Sequence, residues 1–275
     1  MNFDLHCHSN ASDGLLGPDT LVERAAANGV DVLALTDHDE TAGLASARAE
    51  AASRGIKFID GVEISVTWQG VTIHVVGLQI DPEAARLKEG LETLRSGRAT
   101  RAARIAEALE QAGIRGSLAG AMSYVANPNV ISRTHFARFL VDIGRAPDVR
   151  SVFRHYLVKG TPGYVPHQWA SLGDAVAWIR ASGGVAVLAH PGRYSLGRPE
   201  RRALLTEFKG SGGAAIEVMT GSHTREQFAE FAQLAKEFEL LASRGSDFHG
   251  DAGSRADLGA LPSLPGDLRP VWHDW

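Results

Sequence analysis

The chain has 275 residues, enough for one large α/β domain or one domain carrying an insertion. An apolar share of 44%, a charged share of 22% and a net charge of −4 fit a globular protein and exclude a chain-wide basic field for long nucleic acid. No apolar run reaches the roughly 18–20 residues that span a bilayer, which excludes a membrane partner of that kind.

Asn2-Phe3-Asp4-Leu5 reads as a short strand running into His6-Cys7-His8, and Asp13 follows in a Ser/Asn/Asp/Gly-rich turn. Side chains alternate along a strand, so His6 and His8 share a face and Cys7 takes the other, as a small buried hydrophobe rather than a ligand. Cys7 is the only cysteine, so no internal disulfide can form. With no basic-then-apolar leader before this strand, a cytoplasmic location is expected.

Pro18 and Asp19 signal a helix over Thr20–Ala27, closed by Asn28-Gly29. Val30–Thr36 reads as a strand, Thr41–Ser53 as a helix, and Lys57–Ser65 and Val71–Ile80 as strands joined around Gln69-Gly70. Pro82 opens a long helical segment to about Gln111. After residue 170 the alternation resumes: helix Leu172–Ala181, strand Gly184–Ala189, helix Pro199–Phe208, strand Ala214–Met219, helix Thr224–Phe238 and strand Leu240–Ser243. Six or seven such units predict a mostly parallel sheet, closed or nearly closed into a barrel.

Residues 95–168 break this rhythm, with helical patterns at Arg98–Ala112 and His135–Ile143 and turn clusters at Asn127-Pro128-Asn129 and Gly160-Thr161-Pro162-Gly163. They read as a small inserted domain or a long helical connection; the former divides the chain into a barrel of 1–94 and 169–275 and an insertion of 95–168. The tail after Gly250 is punctuated by Gly and Pro, with Trp272 and Trp275 placed to pin it to the body.

Each alternating unit carries a candidate ligand where its strand should end. Thr36-Asp37-His38-Asp39 follows the second strand, Glu63 follows Gly61-Val62, His74 lies in an apolar strand, His190 precedes Pro191, and Asp247-Phe248-His249 repeats the His6/His8 spacing. Alone, His74 is as readily a core histidine and His190 a turn residue. Together, six histidines and three carboxylates at one end of a parallel barrel point to a divalent-metal site. The imidazole-rich, thiolate-free set suits manganese, iron or zinc better than magnesium.

The H-x-H…S-D opening, T-D-H-D, the G-x-E strand, A-H-P and S-D-x-H resemble the polymerase-and-histidinol-phosphatase (PHP) phosphoesterases. Within the insertion, Ile131-Ser132-Arg133-Thr134-His135-Phe136 and Lys159-Gly160-Thr161-Pro162-Gly163-Tyr164-Val165-Pro166 resemble the branch acting on nucleoside 3′,5′-bisphosphates, part of which also trims short RNA. The resemblance implies a distorted seven-stranded (β/α) barrel, a mostly helical inserted domain and a trinuclear, manganese-type centre. It places His6, His8, Glu63 and Asp247 on one ion, Glu63, His74 and His190 on a second, and Asp13, His38 and His249 on a third. The nucleophile would be a hydroxide held by these ligands, with no separate protein nucleophile.

The implied reaction is hydrolysis of the 3′-phosphate to give a 5′-mononucleotide. The alternatives are 5′→3′ exoribonuclease action on short RNA, histidinol-phosphate phosphatase action, or a non-catalytic metal-binding domain. No protein partner is implied. A second phosphate needs cations, for which the candidates are Arg133 and His135, then Lys159, Arg101 and Arg104. Arg98, Arg101 and Arg104 can equally form a solvated helix face, and Lys159 an ordinary turn. Tyr164 and His167 are open to base stacking or to packing.

Overall fold

Seven short strands pair in chain order, and the computed structural model describing them covers residues 1–251 and 254–275. Ala252 and Gly253, at the start of the Gly/Pro-punctuated tail, lie outside the described residues. The strands are β1 (Phe3–Asp4), β2 (Val32–Leu35), β3 (Lys57–Trp68), β4 (Val71–Leu78), β5 (Val185–Leu188), β6 (Ala215–Thr220) and β7 (Leu241–Gly245). The chain after β1 bonds to β7 through Leu5 N to Arg244 O at 3.0 Å and Asp247 N to His6 O at 2.8 Å, which brings the sheet's two edges together. Gly245 is required at this join, because a methyl there would stand 2.3 Å from His6 Cβ.

The sheet is mostly parallel, as expected, with one strand reversed. β4 runs antiparallel to both β3 and β5, while the other pairs are parallel. The tight Gln69-Gly70 turn, with positive φ at both residues, allows only a hairpin. β3 and β4 also outrun their neighbours: β2 ends opposite Asp60, whereas the hairpin continues to Trp68. Glu63 and His74 therefore lie within long strands rather than at strand ends. They still stand at the rim, since Glu63 bridges to His38 beyond the end of β2 and His74 pairs with Ser65.

Helices α1 (Pro18–Ala27), α2 (Leu44–Arg54), α7 (Leu172–Ala181), α8 (Arg198–Gly210) and α9 (Arg225–Glu237) cover the outside. They bury Leu21, Leu44, Val176, Leu204 and Phe231 against outward residues such as Leu33, Leu35 and Ile216. Inside, Val32, Ala34, Ile59, Val76 and Val187 form a separate core. The tail stops its lower end with Val271, Trp272 and Trp275, and Trp272 stacks on Phe3 at 4.1 Å between centroids.

Between β4 and α7 lie α3 (Ala85–Gln111), α4 (Ser117–Met122), α5 (Arg133–Asp142) and α6 (Val149–Val152), followed by one π-turn at Phe153–Leu157. They build a third core around Ile105, Leu109, Phe136, Leu140, Val152 and Leu157. The 27-residue α3 serves both bodies: Leu87, Leu91 and Leu94 pack on the barrel, and Ala102 to Leu109 on the helical core.

Candidate metal centre

Strand ends and the β3–β4 hairpin deliver nine side chains to one rim: His6, His8, Asp13, His38, Glu63, His74, His190, Asp247 and His249. Glu63 stands in the middle. Its Oε1 lies 2.9 Å from His74 Nδ1 and 2.8 Å from His190 Nε2. Its Oε2 lies 2.9 Å from His38 Nδ1 and 3.3 Å from Nε2 of both His6 and His8. Asp247 Oδ1 is 3.4–3.6 Å from nitrogens of His6, His8 and His249, and Asp13 Oδ1 is 3.3 Å from His249 Nε2.

Four groups place their ligand atoms within 4.8 Å of one another: His8, Asp13, His38 and His249; His6, His190 and Asp247; His6, His8 and Glu63; and His38, Glu63 and His74. The expected trio of Asp13, His38 and His249 is thus joined by His8. His190 touches Glu63 as expected but also faces His6 and Asp247, and His74 keeps company with His38. Buried Asp13 Oδ1, Glu63 Oε2, Asp247 Oδ1, His38 Nδ1 and His190 Nδ1 make no hydrogen bond despite these approaches. Buried polar atoms without partners are costly, and converging lone pairs from imidazole and carboxylate suit divalent cations.

Electrostatics favours the ligand forms of the carboxyls. Burial alone would raise Glu63, but His38, His74 and His6 hold its carboxyl well below the usual range. Asp13 and Asp247 are likewise held low against burial, by His38 and His249 and by His6 and His8 respectively. Burial pulls His190 down to about 3, which leaves the neutral, coordinating imidazole. Burial also opposes charge on His6, yet Glu217, Glu63 and Asp247 raise its pKa.

The backbone is strained at this rim, with φ of 26° at His190, 56° at Asp247 and 52° at Asp39. Other residues hold it. Asp37 accepts from Ser9 N, Ser9 Oγ and Ser12 Oγ, fixing the Asp13 loop. Tyr194 Oη accepts from His74 N and donates to Ala189 O, tying β4 to the turn after β5. Cys7 is buried and donates to Ala34 O, on the face away from the imidazoles.

Beside the cluster runs a cleft lined by Arg98, Arg101, Arg133, Arg193, Ser132, Thr134, Phe153 and Trp169 together with Asp13, His38, His74 and His249. Arg101 is 9% exposed, lies over Trp169, and has no carboxylate or hydrogen-bond partner among the described residues. Burial, then Arg133 and Arg98, pull its pKa down to about 9. Arg133 reaches Leu157 O at 3.1 Å and the face of Phe153. Arg98 pairs with Asp39 and so anchors α3 to the loop carrying His38.

Of the five cations expected at a second phosphate, the structure brings Arg133 and Arg101 into this cleft and leaves three outside its lining. His135 is 1% exposed, and its Nδ1 accepts the Ser132 N–H at 2.9 Å as part of the α5 capping box. Arg104 and Lys159 are exposed on the outer surface. The solvated-face reading fits Arg104 but not Arg98 or Arg101. His167 packs edge-on against Trp169, and neither it nor Tyr164 lines the cleft.

Two site residues escape the sequence reading. Glu217 on β6 lies 2.8 Å from His6 Nδ1 and accepts the His190 N–H at 2.6 Å. An acid alone in the apolar run of Ala215–Thr220 is the signal that could have found it. Arg193 pairs with Asp247 Oδ2 at 2.9 Å, two residues beyond Pro191.

A barrel rim of this composition, with a basic cleft alongside, defines a metal-dependent hydrolase of phosphate esters. The PHP domain model matches residues 4–135. The chain is 52% identical over 273 residues to a 3′,5′-nucleoside bisphosphate phosphatase of Chromobacterium violaceum, covering 99% of this chain and 96% of that protein. It is 43% identical over 275 residues to the 5′-3′ exoribonuclease Rnm of Salmonella typhimurium, covering 99% and 93%. Among solved structures, an amidohydrolase from Chromobacterium violaceum with bound sulfate and no metal superposes with a TM-score of 0.97 at 52% identity, covering 100% of this chain and 95% of that one. The chain belongs to the PHP family. No helix among the described residues is long and apolar enough to cross a membrane.

Proposed function

We propose that this chain removes the 3′-phosphate from nucleoside 3′,5′-bisphosphates, leaving the 5′-mononucleotide and phosphate. The observation that carries this reading is a cationic pair, buried Arg101 and half-buried Arg133, lining the same cleft as the candidate ligands. A bisphosphate has one phosphate for each place. The relative at 52% identity bears this activity in its name, and the bound sulfate of the solved relative supports a site for a tetrahedral oxyanion.

The overlapping groups of candidate ligands support a centre of three ions, for which manganese is the first choice and iron or zinc the next. Such ions lower the pKa of bound water and neutralise phosphate oxygens. The chain's own part is to hold and orient. Glu63, Asp247 and Asp13 supply anionic oxygens, burial keeps His190 neutral for coordination, and the strained turns aim His190 and Asp247 inward. Arg133 and Arg101 hold the 5′-phosphate, with Arg133 free to bind two of its oxygens. Residues 95–168 then serve as a substrate-recognition domain on a barrel of 1–94 and 169–275, acting on small nucleotides in the cytoplasm.

The 43% identical exoribonuclease supports a second reading, stepwise 5′→3′ trimming of short RNA with the same ions and the same 5′-phosphate seat. The test is phosphate release from adenosine 3′,5′-bisphosphate by manganese-loaded protein, beside a 5′-phosphorylated trinucleotide and histidinol phosphate. Rapid conversion of the bisphosphate to AMP is the expected result. Turnover of the trinucleotide alone favours the exonuclease, and silence on all three in metal-loaded protein overturns the substrate assignment.

A further inference from the structure

Ser132 sits where the basic cleft meets the metal centre. As N-cap of α5, its hydroxyl oxygen accepts the Thr134 N–H at 3.1 Å. Its hydroxyl proton goes to Asp13 Oδ2, 3.2 Å away. Arg138, six residues further along α5, donates to the backbone carbonyl of Asp13. A candidate ligand on the barrel therefore hangs from a helix of the inserted segment by both side chain and main chain. The other oxygen of Asp13, Oδ1, makes no hydrogen bond and faces His38 and His249.

Arg133 follows Ser132 directly and lines the cleft. An oxyanion held by Arg133 restrains the first turn of α5, and with it the Ser132 hydroxyl. A restrained hydroxyl fixes the carboxylate of Asp13 in the orientation that presents Oδ1 to a cation. The reverse also holds, since a cation on Oδ1 orders Asp13, Ser132 and the start of α5. A cap requires only the hydroxyl's acceptor oxygen, so donation to Asp13 is a separate task that capping leaves unexplained.

We propose that Ser132 couples the two halves of the site, so that an oxyanion at Arg133 and a divalent cation at Asp13, His38 and His249 bind with positive cooperativity. The inference rests on the reading of the cleft as a 5′-phosphate seat. Ser132 is a positioning residue here, and its effect is a binding linkage that must be reciprocal.

The experiment titrates metal-free full-length protein with Mn²⁺, following the free ion by electron paramagnetic resonance, with and without AMP. AMP carries the 5′-phosphate and has no 3′-phosphate to lose. In the wild type, AMP should tighten the weakest Mn²⁺ site by about five- to tenfold, and saturating Mn²⁺ should tighten AMP by the same factor. In Ser132→Ala the factor should fall to near one while both ligands still bind, and Ser132→Thr should restore it. Ser132→Gly, which also starts a helix well, replaces the alanine variant should that one unfold. A wild-type factor retained without the hydroxyl would place the coupling in direct contact between phosphate and ion and overturn the role of Ser132. AMP binding with no effect on Mn²⁺ overturns the coupling but leaves the nucleotide reading standing. Failure of AMP to bind Mn²⁺-loaded protein overturns the nucleotide reading, and this inference with it.

Discussion

Glu217 holds His6 from behind, its Oε1 2.8 Å from the ring Nδ1, while its Oε2 accepts the backbone N–H of His190. One buried carboxylate on β6 thereby orients the His6 ring and holds the backbone at His190. Such partners set the ring's tautomer and make the coordinating nitrogen more basic. Glu217→Gln should weaken Mn²⁺ binding by about 10–100-fold without unfolding the chain, measured by competition with a chelating dye. Unchanged affinity would reduce Glu217 to a packing role.

Asp247 and His249 stand on the same turn, and Asp247 Oδ1 faces three imidazoles at 3.4–3.6 Å. Alanine at either position should abolish turnover in phosphate-release assays. Full activity in either variant would sink the catalytic reading of the cluster.

Arg133→Ala should raise KM or lower kcat mainly for substrates that bear a 5′-phosphate. The control is the matching 5′-dephosphorylated analogue. Equal losses on both would remove Arg133 from the phosphate seat.

Arg101 is buried among like charges, with its pKa lowered to about 9 by burial first and then by Arg133 and Arg98. A buried charge without a counterion destabilises the free protein and favours an arriving anion. Arg101→Met should therefore stabilise the ligand-free chain by on the order of 1 kcal/mol. It should also blunt the rise in Tm that sulfate or phosphate gives the wild type. Calorimetric melts with and without the anion read both effects.

His135 and His223 are pulled down from 6.5 to about 4, chiefly by burial. Each is neutral in the fold, where His135 Nδ1 accepts from Ser132 N and His223 Nε2 from Gly192 N. Between the two pKa values the unfolded chain binds more protons, so stability rises with pH in that window. The contribution is complete above about 6.5 and lost toward 4. In metal-free protein, Tm should fall as the pH is lowered through this interval, and His223→Gln should make the fall shallower.

Much of this was legible because it obeys short-range rules. Alternating apolar runs and amphipathic stretches located the helices and strands, and one-residue spacing put His6 beside His8 and Asp247 beside His249. The reversal of β4 was hidden by the expectation of parallel units, although the Gln69-Gly70 turn was in plain sight. Its consequence is geometrical, since a strand entered from the rim brings His74 in near its start. The burial of His135 was not legible at all. Its neighbour Arg133 has the same local context, and only tertiary packing decides that one side chain lines the cleft while the other caps a helix. That Arg98 and Arg101 leave the solvated face was hidden for a related reason, because Trp169, far along the chain, covers both guanidinium groups.

The single helix α3, shared by barrel and helical core, has a consequence for what the site can accept. Twenty-seven residues of unbroken helix make a rod about 40 Å long. Rooted by Leu87, Leu91 and Leu94 and bolted to the His38 loop by Arg98, it holds Arg101 at a set stand-off from the imidazoles. With Arg101 seating the 5′-phosphate as proposed, the helix would act as a gauge, admitting a substrate by the span between its two phosphates.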